Sequence, residues 1–441
     1  MLTTCIAVLA LGASGSTQEQ GGELRSQLES MARAALADAG LPGLALRVVD
    51  GEQVALSKAW GYLDTGRRTL ESVEVPRAAP AMLEPLVAVA LLTFAERGQI
   101  DLGRELGEPF SALDFGGQKV RIAQLLTHTS GIPSFAELAR GRSELLQPAQ
   151  ALEWLAARSL DSDPGSCFAY SESNTFLAGQ LVERVGQAKL DETLARVVLE
   201  PLRLTSTSFR TSPEDQRATV ELIGERRELA LSRLAGWPEV YTTLEDLLAF
   251  ARAVDAGALI GVEGRRLATE ALRAKGEDLP FTHGFARSLL ASHPSLSFGG
   301  STERGSVFVA WYPDAHLALA LATGADTDVL PQLERRLARA CLRLPEPGIV
   351  DLPIDAEHRA PYLGSYYIGC TRVELEDDGE RLVFVTPFDE RHALRYQGGQ
   401  RFVSLGDPDL SLEFSVERGR AHSFLLMRRG TQTVGRRIDG A

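Results

Sequence analysis

Hydrophobic and polar positions divide this 441-residue chain into stretches of different rhythm. Residues 22–39 repeat apolar side chains at helical spacing and stop at Gly40, which predicts an amphipathic helix. Leu44–Val49 then alternates, Asp50-Gly51 supplies a hairpin turn and Val54-Ala55-Leu56 resumes, so two paired strands are expected. Far downstream, Ser306–Trp311 is a second apolar strand, turned by Pro313-Asp314 into Leu317-Ala-Leu-Ala-Leu-Ala322. Leucines on one face and alanines on the other predict a strand buried on both sides. A helix follows with Leu330, Leu333, Leu337 and Cys341 on one stripe.

Between these strand groups the pattern is mostly helical. Leu86–Ala95 is apolar all round, as a central buried helix must be. Thr243-Leu-Glu-Asp246 has the form of a capping box opening a helix to about Ala256. Strands from both ends of the sequence therefore flank a helical insertion in one α/β domain over residues 23–341. Leu344-Pro-Glu-Pro-Gly348 and Pro353 mark a linker over 342–356. From 357 to 441 short alternating segments are split by turns at Asp377–Gly379, Gly398-Gly399 and Gly406–Pro408. They predict a small all-β C-terminal domain, either a meander or a barrel.

Composition narrows the function classes. Hydrophobic residues make up 44% and charged residues 24%, as in a globular protein, and the net charge of -13 disfavours nucleic acid as a partner. Leu2–Ala13 is short and apolar and is followed by small residues, so residues 1–20 read as a secretory signal segment, although the first basic residue is Arg25. Export to the periplasm or beyond is expected, with no other stretch long enough to span a bilayer. Cys5, Cys167, Cys341 and Cys370 are widely spaced and read as small buried hydrophobes, not as a disulfide framework. His283, His293, His316, His358, His392 and His422 form no pair at i, i+4 spacing, so neither a metal nor a cofactor is expected.

One ordered set of motifs points to a family. Leu41-Pro-Gly-Leu-Ala45, Arg97-Gly98, Leu125-Leu-Thr-His-Thr-Ser-Gly-Ile-Pro133, Phe168-Ala-Tyr170-Ser171, Leu199-Glu-Pro-Leu202 and Thr242-Thr243 follow one another along residues 23–341. Together they resemble the serine β-lactamase and penicillin-binding-protein-like family, in its class C and esterase-related branch. The resemblance implies a β-lactamase-like fold and three catalytic motifs. A Ser-x-x-Lys opens the buried helix, so that serine attacks a carbonyl and lysine assists its deprotonation. A Tyr-x-Asn supplies a phenol and an amide, and a Lys-Thr-Gly or His-x-Gly lies on a late strand.

Against that implied pattern the chain departs at each motif. Counting back from Arg97-Gly98, the first falls on Ala81-Met82-Leu83-Glu84, and none of the four lysines (Lys58, Lys119, Lys189, Lys275) follows a serine by three residues. Pro85 places the helix start near Glu84, so residues 81 and 84 need not share a face, and Glu84 suits a helix N-terminus in any case. The second motif reads Tyr170-Ser171-Glu172 and the third Phe298-Gly299-Gly300. His128 reads as a buried structural imidazole. Removing the nucleophile alone costs a serine hydrolase roughly 10⁶ in turnover. The expectation is a non-catalytic binding or regulatory protein of the cell envelope. Its former cleft, lined by Glu84, Tyr170, Glu172 and Phe298, would hold an unknown small molecule or envelope component, a cation in preference to a carboxylate. The alternatives are a hydrolase using Glu84 or Glu172 as general base with Tyr170 as acid, a working serine hydrolase in a shifted alignment, and a structural protein whose C-terminal module does the work.

Overall fold

The computed structural model describes residues 6–63, 69–135, 138, 145–211, 234–275, 277–302, 304–386, 391–428 and 431–438. Cys5 and the first residues of the expected leader lie outside them. Helix α1 (Ile6–Asp38) includes the expected amphipathic segment and extends back through residues assigned to the leader. Among the described residues no helix is long and apolar enough to cross a membrane.

A six-stranded antiparallel sheet forms the centre of the first domain. Its strands are β1 (Gly43–Asp50), β2 (Gln53–Gly61), β3 (Ala286–Leu290), β4 (His293–Thr302), β5 (Gly305–Tyr312) and β6 (Leu317–Thr323), in spatial order β2-β1-β6-β5-β4-β3. Pairing of β1 with β6, Ala45 opposite Ala322, joins the two ends of the domain. The alternation in β6 does what its sequence implies. Leu317, Leu319 and Leu321 face the core under α1 and the late helix. Ala318, Ala320 and Ala322 face the larger core under the helical insertion, where small side chains let helices approach.

Helix α2 (Leu83–Glu96) runs through the middle of that larger core, buried from Pro85 to Phe94. Its one polar interior side chain, Thr93, donates to the Val89 carbonyl at 2.7 Å and is satisfied without leaving the helix. A 3₁₀ turn over Pro80–Met82 precedes it, and Pro85 sits in its first turn, where a missing N–H costs nothing. Beside it lies α3 (Glu172–Gly186), while α4 (Leu244–Asp255) packs on strands β5 and β6 and is capped by Thr243, whose hydroxyl accepts from the Asp246 N–H. Helix α5 (Val329–Cys341) covers the opposite face of the sheet with Leu330, Leu333 and Leu337 buried.

The C-terminal strands close into an eight-stranded antiparallel barrel. They are β7 (Gly364–Ile368), β8 (Thr371–Asp377), β9 (Leu382–Val385), β10 (Arg391–Gly398), β11 (Arg401–Ser404), β12 (Leu410–Glu417), β13 (Arg420–Arg428) and β14 (Thr431–Arg437). The first and last pair to complete the ring, which removes both sheet edges. Tyr366, Phe384, Phe402, Phe414 and Phe424 fill it. Gly398 and Gly399, both at positive φ, make the tight β10–β11 connection. The segment before the barrel is tied to it, because Val350 exchanges hydrogen bonds with the Gln397 side chain.

Two covalent or ionic ties join barrel and first domain. Asp409 accepts from Arg335 and, at 2.9 Å, from Arg339, both on α5. Cys167 and Cys370, 203 residues apart, form a disulfide. The reading of the cysteines as unpaired hydrophobes is therefore corrected: pairs that staple two domains leave no short spacing in sequence to betray them. Cys341 stays a thiol, pushed up to about 12 by burial and by the nearby Asp50 and Glu334 carboxylates.

Candidate functional site

The 3₁₀ turn before α2 lays Ala81 against strand β4. A methyl group placed on Gly300 would come within 2.8 Å of the Ala81 Cβ, so only glycine lets the turn and the strand approach this closely. Gly299 points to the opposite side, towards Phe308, where its own Cβ would meet that ring at 2.5 Å. Glu84 is directed elsewhere, to the loop that carries His128 and to Tyr170. Residues 81 and 84 thus serve different neighbours.

Glu84 is the end point of a directed hydrogen-bond chain. The Nδ1 atom of His128 lies 3.2 Å from the Ser171 N–H, which can only donate, so Nδ1 is the acceptor nitrogen and Nε2 carries the proton. Nε2 then donates to Glu84 Oε1 at 2.6 Å. The Asn174 amide nitrogen also faces Nδ1, at 3.1 Å, and the amide oxygen accepts from the Ser130 hydroxyl at 2.6 Å. From the other side the Tyr170 hydroxyl donates to Glu84 Oε2 at 3.0 Å. The His128 and Tyr170 protons are both aimed at this one carboxylate. His128, Ser130, Ser171 and Asn174 are all buried, so the array is a low-dielectric unit in which each bond matters.

Burial of the Tyr170 hydroxyl, reinforced by the Glu84 and Glu172 carboxylates, holds the phenol well above its ordinary value. Burial first, and the adjacent carboxylates second, keep the phenol protonated. Glu172 opens α3 and lies in its first turn, where a carboxylate complements the helix dipole. The imidazole of His128 packs on the Tyr170 ring with centroids 4.4 Å apart, and Phe281 and Phe168 meet it edge-on at 5.0 and 6.0 Å.

Of the positions singled out in sequence, Glu84, Tyr170 and Glu172 come together, and Ala81 meets Gly300 beside them. Phe298 does not line the cleft: its ring is buried among Phe250, Phe285 and Trp311, where an aromatic finds apolar partners. His128 is buried, and it is also the partner of Glu84, a link that no local spacing reveals. Asn174 and Ser130 were missed, although both lie within or next to the quoted motifs. Phe281 carries no sequence signal at all. Among the described residues, no three His, Cys, Asp or Glu side chains are grouped as metal ligands.

The beta-lactamase family model matches residues 28–342. The chain belongs to the beta-lactamase family. Protein flp of Staphylococcus aureus (strain N315) is 25% identical over 237 residues, 51% of this chain and 47% of that protein. The chain thus spans about half the length of the curated relatives it matches. In fold it resembles the octameric penicillin-binding protein homologue from Pyrococcus abyssi, with a TM-score of 0.64 at 17% identity over 93% of this chain and 99% of the other. It also resembles the D-amino acid amidase from Ochrobactrum anthropi SV3, with a TM-score of 0.60 at 17% identity over 72% and 99%. Ala81 lies in the 3₁₀ turn before α2 and Glu84 in the first turn of that helix.

Proposed function

We propose that this member of the beta-lactamase family is non-catalytic and works as a binding or regulatory protein of the cell envelope, with the Glu84–Tyr170 cleft as its ligand site. The observation that carries this reading is the engagement of Glu84. Its two oxygens accept from His128 and Tyr170, and we read this engaged carboxylate as standing where an activating lysine would be needed. Ala81, beside Gly300, offers no nucleophile. The same geometry weighs against a glutamate–tyrosine hydrolase. Tyr170 donates to Glu84, and a phenol held well above its usual range is a poor general acid near neutrality.

The Cys167–Cys370 disulfide supports an exported, oxidising location, in keeping with the apolar leader-like segment. The barrel would then present the family domain to its ligand as a fixed neighbour through the Asp409 ion pairs.

Steady-state turnover of a chromogenic ester and a chromogenic cephalosporin tests the reading. Rates equal to those of buffer are expected. A saturable rate that survives repurification and is lost in Glu84→Gln would overturn it and favour the glutamate-based hydrolase.

A further inference from the structure

We propose that the cleft takes an organic ammonium group, seated against the open side of the Tyr170 ring and neutralised by Glu84. The proposal rests on the non-catalytic reading of the same cleft and names its ligand class.

Four observations lead there. His128 covers one side of the Tyr170 ring at 4.4 Å, yet the residue remains 40% exposed, so a π-face is left to the cleft. Phe168 and Phe281, 5.9 Å apart and both partly exposed, extend that aromatic wall. Glu84 is partly accessible, and its partners are a neutral-tautomer imidazole and a phenol; no arginine or lysine pairs with it among the described residues. Glu172 adds a second carboxylate close enough to act on the same phenol.

Ser171 supplies an independent sign of an unmet contact. It is 4% exposed, and its hydroxyl has no hydrogen-bond partner, although it stands at the N-cap of α3, where a serine ordinarily accepts from the helix. This hydroxyl belongs to the residue between Tyr170 and Glu172 in sequence, and a ligand N–H reaching it would supply the missing partner. An aromatic face, a carboxylate whose partners are an imidazole and a phenol, and an unsatisfied hydroxyl form the chemistry that recognises a cation with an apolar body. Both departures from the family pattern at this spot, lysine to Glu84 and asparagine to Glu172, add negative charge, which repels the carboxylates a cationic cleft would attract.

The test is calorimetric titration of the full chain with benzylammonium chloride, and with sodium benzoate as the anion of matched shape. Saturable benzylammonium binding is expected, weakened at least tenfold in Glu84→Gln, retained in Tyr170→Phe and absent for benzoate. Thermal melts of both variants confirm that they are folded. Benzoate binding more tightly than benzylammonium, or Glu84→Gln binding unchanged, would overturn the proposal. If the protein is acylated by a penicillin, the non-catalytic reading fails instead. No acylation together with no amine binding sinks the ligand class alone.

Discussion

His128 Nε2 donates to Glu84 Oε1 across 2.6 Å, tying the loop that carries Thr127–Gly131 to the first turn of the central helix. The two residues are 44 apart in sequence, and the imidazole is fixed in one tautomer by the Ser171 N–H on its far side. Removing the ring would leave that N–H, the Asn174 amide and one carboxylate oxygen without their partners in a buried setting. His128→Ala is expected to cost about 3 kcal/mol or more, through lost hydrogen bonds and a cavity. The midpoint of chemical denaturation checks this; a shift within error would show that the array does not hold the site.

Restoring the nucleophile alone should restore no chemistry. Ala81→Ser places a hydroxyl beside Gly300, but Glu84 stays engaged with His128 and Tyr170 and no amine is at hand. Ala81→Ser is expected to form no adduct with a fluorescent penicillin, whereas the double variant Ala81→Ser, Glu84→Lys should acylate slowly. Gel fluorescence separates the two, and labelling of the single variant would show that another base serves.

Much of this arrangement was legible beforehand, for reasons that differ by element. Strands β5 and β6 announced themselves because burial on both faces forces an unbroken apolar run, β1 and β2 because the Asp50-Gly51 turn joins two strand-like segments, and α2 because an all-apolar helix can lie only inside. The barrel was legible as short alternating segments split by turns, but its closure was not, since the pairing of Tyr366 with Arg437 leaves no local trace. Ala81 and Glu84 could be placed by counting from Arg97-Gly98. The direction of Glu84 could not, because it depends on a histidine brought in by tertiary structure. The Phe298 ring turned into the core for the same reason: what a side chain meets is set by packing, not by its position in a motif.

The Tyr170 phenol makes an alkaline prediction. Its folded value lies above the ordinary one of about 10, so the folded state keeps its proton where the unfolded chain has lost it. Stability from this group is therefore complete below about pH 10 and declines as pH rises towards the folded value. Tyr241, Tyr312, Tyr362 and Tyr366 are raised as well, so the measure is the difference between wild type and Tyr170→Phe. Wild type should lose stability more steeply than the variant above pH 10; parallel curves would contradict the assignment.

At the domain junction, Asp409 is the partner of two arginines, and the Arg335 side chain is 6% exposed. Asp409→Ala would strand a buried cation and is expected to cost about 3–5 kcal/mol. Urea denaturation of the full chain reads this out. A cost below 1 kcal/mol would mean that the Arg335 contact with the Leu289 carbonyl is sufficient by itself.

The central claim, that this beta-lactamase fold has no working nucleophile, is tested most directly by intact mass after incubation with a fluorescent penicillin and an ester-type serine probe. The account predicts an unchanged mass with both. A stable adduct mapped to a serine of the cleft would contradict it and return the protein to the acylating members of its family.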